Sequence, residues 1–92
     1  MVQNQPLNDE EIKEKQKAHF ERARKGVLKF LVDSGGALSL SEMHDYSLNK
    51  FLVQHQGFSQ MMETFVGEGL VEYDSETQMT TITDEGRKFA SQ

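Results

Sequence analysis

The chain has 92 residues, a formal net charge of −5 and no cysteine, which suits a single small domain. The missing cysteine excludes disulfide staples, thiol nucleophiles and thiolate metal sites, and it fits a reducing compartment. No apolar run is long enough to span a bilayer, and residues 1–12 have no signal-peptide pattern, so a soluble, cytoplasmic protein with no membrane partner is expected.

The charge is unevenly placed. Met1 to Asp33 carry a net +1, whereas Ser34 to Gln92 carry −6, so the basic residues gather in the first third of the chain. Residues 1–8 read as a flexible polar tail, and residues 9–92 as the domain. Asn8 is placed to cap a helix, with Glu11 three residues on as in a capping box, and Asp9, Glu10 and Glu11 complement the helix dipole. From there to about Asp33 the spacing of Ile12, Phe20, Ala23, Val27, Phe30 and Leu31 predicts one long helix. Its apolar positions are sparse before Phe20 and dense after Val27, so the first half reads as a solvated extension. Ser34-Gly35-Gly36 supplies the stop, since glycine adopts the left-handed conformation of a helix C-cap.

Ala37 to Leu40 reads as a minor strand. A second helix is expected from about Glu42 to Val53, capped by Ser39 or Ser41. Gln54 to Gly57 reads as a break, and a third helix is expected from Phe58 to Glu68 with Phe58, Met62, Phe65 and Val66 on its apolar side and Met61 on the flank. The period then switches. The runs LVEYD and MTTIT, separated by Ser75-Glu76-Thr77-Gln78, predict a hairpin. Thr83 caps a last short helix anchored by Phe89. The expected core is Phe20, Val27, Leu28, Phe30, Leu31, Leu40, Phe51, Leu52, Phe58, Met62, Phe65, Leu70, Val71, Ile82 and Phe89. The fold class is therefore mainly α with a small β-hairpin.

In order, these elements resemble the winged helix-turn-helix regulators of the MarR and PadR type and their archaeal relatives. Phe58-Ser-Gln-Met-Met-Glu-Thr-Phe-Val-Gly-Glu-Gly-Leu-Val-Glu-Tyr73 resembles that family's recognition helix, with the x-x-G-L-[IV] turn that leads into the wing. Thr81-Ile-Thr-Asp-Glu-Gly-Arg-Lys-Phe89 resembles the run that follows the wing. The similarity covers Phe20 to Ala90, and it implies a winged helix-turn-helix with an extended N-terminal helix that docks its third helix in the major groove of double-stranded DNA, as a small transcription regulator does. His55, Gln56, Ser59, Gln60, Thr77 and Gln78 would then lie at the DNA, with Lys50 and the basic residues of the first helix on phosphates.

The residues also pull the other way. Neither the third helix nor the wing tip contains a lysine or arginine, and duplex affinity depends on neutralising phosphates. Glu63 and Glu76 stand on the surface that would meet the DNA. The alternative is an acidic interaction module that meets a basic protein partner and binds no DNA. In either case Ile12, Gln16, Phe20, Ala23 and Val27 are spaced as a thin seam on which a homodimer is expected to form, the alternative being that the residues before His19 fray in solution. His19, His44 and His55 lie in different elements without metal-ligand spacing, so no metal or other cofactor is expected. No nucleophile motif or carboxylate pair is placed for catalysis, so no enzymatic activity is expected.

Overall fold

The computed structural model describes residues 9–92. The proposed tail and the Asn8 cap lie outside the described residues. Helix α1 spans Asp9–Asp33, strand β1 Ala37–Ser39, helix α2 Leu40–Phe51 and helix α3 His55–Gly67. Strands β2 (Val71–Asp74) and β3 (Met79–Ile82) follow, and helix α4 (Asp84–Ser91) ends the chain. The three strands form one antiparallel sheet in the order β1-β3-β2. This is a mainly α architecture with a small hairpin, laid out like a winged helix. Among the described residues no helix is long and apolar enough to cross a membrane.

Each helix end has a local cause. α1 stops in a Schellman arrangement: Gly36 N–H reaches Leu31 O at 2.9 Å and Gly35 N–H reaches Val32 O at 3.1 Å, with both glycines at positive φ. α2 begins two residues before the predicted start because Ser39, and not Ser41, is the cap. Ser39 Oγ accepts from Glu42 N–H at 3.1 Å, and Glu42 Oε1 accepts from Ser39 N–H at 3.2 Å, a complete capping box. α2 closes on Leu52, whose φ of 58° is left-handed. The chain is then extended at Gln54, and α3 starts at His55. The predicted break at Gln54 to Gly57 is therefore shorter than expected, and His55, Gln56 and Gly57 form the first turn of α3.

The core is centred where α1, α3 and the sheet meet. Ala23, Val27, Leu28 and Leu31 of α1 are fully buried, and Met43, Met61 and Phe65 join them with no exposed surface. Phe58, Met62, Leu70, Val71 and Ile82 are also buried, while Phe20, Phe30, Leu40, Phe51 and Phe89 pack partly buried around this centre. Two expectations fail. Leu52 is 79 % exposed, because the left-handed turn points its side chain outward. On α3, Met61 is interior and Val66 is half exposed: the helix is rotated so that the Phe58–Met61–Met62–Phe65 side faces the core.

Thr83 joins four segments. Its Oγ1 accepts from Gly86 N–H at 3.0 Å and donates to Gly69 O at 2.6 Å, and its N–H donates to Leu70 O at 3.1 Å. The end of α3, the start of β2, the end of β3 and the first turn of α4 are thereby held at one residue.

Candidate functional site

Helix α3 and the hairpin enclose a groove of about 390 Å³ lined by Leu40, His55, Phe58, Ser59, Met62, Glu63, Val66 and Tyr73. The α3 rotation that buries Met61 turns Val66 outward into this groove. Val66 is 50 % exposed and Tyr73, on β2, is 37 % exposed. The groove is therefore walled by apolar side chains, with Glu63 as its charged member. Beyond it, Glu72, Asp74 and Glu76 line the outer surface of the hairpin. Every lysine and arginine lies outside α3 and the hairpin. A surface of this kind disfavours a phosphate backbone and favours a cation that brings apolar groups with it.

The residues expected at DNA divide between separate places. His55 and Ser59 line the α3–β2 groove. Gln56 and Gln60 line a second depression, of about 610 Å³, with Lys15, Gln16, His19, Phe20 and Leu52 among its walls. Lys50 is in neither. It lies beside Phe30, Glu42, Asp45, Tyr46 and Asn49 on the α1–α2 side, so it does not accompany the glutamines as the phosphate anchor expected of it. On the wing, Thr77 Oγ1 accepts from Met79 N–H at 3.3 Å. Gln78 occupies the left-handed turn position (φ 60°), and its carbonyl accepts from Leu40 N–H at 2.9 Å. Both residues are exposed; the Thr77 hydroxyl and the Gln78 backbone serve the turn.

Arg24 also leaves the set of first-helix cations that would meet phosphates. It is 5 % exposed and donates to Glu21 at 2.9 Å and to Glu68 at 2.6 Å. Its guanidinium lies 5.6 Å from the Phe65 ring centre and 5.2 Å from that of Phe89. Burial works against its charge, but the hydrogen bonds and charges of Glu68 and Glu21 outweigh burial, and its pKa moves upward from an already high value. Arg24 thus clamps α1 to the end of α3 and to α4. Nothing in the local pattern sets Arg24 apart from its neighbours Arg22 and Lys25.

The predicted dimer seam is largely used within the domain. Ala23 and Val27 are fully buried in its own core, and Phe20 packs against that core. Only Ile12, 39 % exposed, and exposed Gln16 remain for a partner, too narrow a strip for a coiled-coil seam. The apolar stripe of α1 faces inward.

His44 and His55, from different helices, come together with ring centres 5.6 Å apart, and His44 also meets Phe58 edge-on at 5.1 Å. No group of three or more His, Cys, Asp or Glu side chains that could hold a metal ion occurs among the described residues. His19 serves elsewhere, its Nε2 lying 2.9 Å from Phe51 O and tying α1 to the end of α2. Comparisons of this chain with protein-family models, curated proteins and solved structures return no match.

Proposed function

We propose that this domain is a protein-recognition module that takes a basic, apolar-faced segment of a partner into the groove between α3 and β2. One observation carries the reading: the groove is walled by Leu40, Phe58, Met62, Val66 and Tyr73 and charged by Glu63, with no lysine or arginine on either flanking element. A helix with apolar residues three and four apart would bury them in such a groove, while a lysine on its flank would meet Glu63. The test is titration of the isotopically labelled protein with a synthetic Leu/Lys amphipathic peptide, followed by amide chemical shifts. Shifts confined to Leu40 and residues 55–74 and abolished by Val66→Lys are expected. Equal binding of the matching Leu/Glu peptide, or shifts confined to α1, would overturn the proposal.

A second reading, contact with duplex DNA through α3 in the manner of a transcription regulator, has one observation in its favour. Lys15 stands in the same depression as Gln56 and Gln60, so α1 brings a cation to side chains able to hydrogen-bond adenine edges. In that case Gln56→Ala with Gln60→Ala reduces sequence preference, whereas Lys15→Ala weakens binding to all duplexes alike.

A further inference from the structure

With Arg24 withdrawn into the interior, four of the six remaining cations of α1 form an ordered array, while Lys13 and Lys17 lie on other sides of the helix. Arg22, Lys25 and Lys29 fall within a sector of roughly 60° at about 100° per residue, and Lys15 extends the line to about 21 Å along the axis. The three line a shallow depression with Gly26, Phe51 and Ala90, of about 460 Å³. Between Lys15 and Lys29 the sole acidic residue is Glu21, and it is held by Arg24 at 2.9 Å. Arg22, Lys25 and Lys29 form no ion pair among the described residues. In the sequence these lysines and arginines are interleaved with acids. In the structure the acids lie beyond the ends of the stripe or are neutralised.

We infer that this stripe binds the phosphate backbone of double-stranded nucleic acid without reading its sequence. A lipid surface fits poorly, because an interfacial helix must give its apolar side to the bilayer, and that side of α1, with Ala23, Val27 and Leu31, is fully buried in the domain. An acidic protein segment would have to match the spacing of the cations. A duplex offers a charge every ~3.4 Å along each strand and meets a straight row of cations without such a match. The stripe shares no residue with the α3–β2 groove, so a protein partner and a nucleic acid can be held together.

The test is fluorescence anisotropy of a labelled random-sequence duplex titrated with the full chain from about 50 to about 200 mM salt. Four phosphate contacts, Lys15 included, give a log–log slope of about −3.6 and a weakening of about 150-fold across that range. The triple variant Arg22→Gln, Lys25→Gln, Lys29→Gln is expected to lose at least tenfold in affinity at the low-salt end. With Lys15 still in place its slope should fall to about −0.9, and its circular dichroism should be unchanged because these side chains lie outside the core. Each single Gln variant should lower the slope by about 0.9, which keeps the stripe testable should the triple variant fold poorly. Gln56→Ala with Gln60→Ala should leave this binding unchanged. The inference is overturned if no duplex binding occurs at about 50 mM salt, if the stripe variants bind as well as the parent, or if only the α3 variant loses binding. It is equally overturned if anionic vesicles capture the protein as strongly as the duplex does, or if the stripe variants abolish only a salt-dependent self-association in sedimentation.

Discussion

Arg24 is the residue on which the interior depends most unexpectedly. Its charge is compensated by carboxylates that are themselves about half exposed, 47 % for Glu21 and 50 % for Glu68, so those acids regain water when the arginine is removed. What Arg24→Ala loses is chiefly the packing of a long side chain between Phe65 and Phe89, and a cost of about 2–3 kcal/mol in denaturant unfolding is expected. Arg24→Met keeps the stem and should cost about half as much. Glu68→Gln, at a screened position, should cost about 1 kcal/mol or less. If Glu68→Gln costs as much as Arg24→Ala, the packing account is wrong. At Gly86 the constraint is spatial: a Cβ there would overlap the Leu70 carbonyl oxygen and the Ile82 side chain. Gly86→Ala is expected to lower stability by about 1–3 kcal/mol, because the backbone oxygen cannot move aside. Leu52 gives the opposite sign. A leucine held left-handed and 79 % exposed has strain to lose and little packing to keep. Leu52→Asn should raise the unfolding midpoint, by up to about 1 kcal/mol of stability.

At the scale of elements, caps and periods carried the legible part of the fold. The double glycine after α1, Thr83 before α4 and the four polar residues of the wing tip each specify backbone conformation locally, and each lies where the sequence places it. Ser39 illustrates the same locality, since one hydroxyl and one carboxylate set the start of α2. Ser39→Ala should cost about 1 kcal/mol, measured by thermal or denaturant unfolding. What the sequence concealed depends on contacts between elements. Met61 and Val66 are both apolar and lie on adjoining sides of α3, and only the placement of the sheet decides which is buried. Ser47 and Thr80 are buried although polar, Ser47 with its hydroxyl donating to the His44 carbonyl of its own helix at 2.9 Å, which no sequence period signals. For the candidate sites, the absence of basic residues from α3 was plain in the sequence. The groove itself was not, since it requires Val66 to turn outward beside Tyr73, residues joined by no motif.

At the scale of the molecule, the principal extents of 57 × 25 × 21 Å come from α1 reaching past the body of the domain. Residues 9–19 are exposed throughout, and Ile12→Ser should move Tm by no more than a few degrees, since little buried surface is lost. A larger fall would mean that this end of α1 is held by contacts the domain needs. The elongated outline separates two kinds of surface: cations arranged along the rod, acids gathered on α3 and the hairpin. The junction at Thr83 has a further consequence. A two-stranded hairpin ordinarily opens from its tip at little cost, but here its open end shares hydrogen bonds with the starts and stops of neighbouring helices. Peeling β3 from β2 would therefore uncap α4 and release the end of α3 in the same event. The amides of Thr83 and Gly86 should exchange with heavy water as slowly as those of the central sheet, as one cooperative unit, while the wing tip exchanges freely.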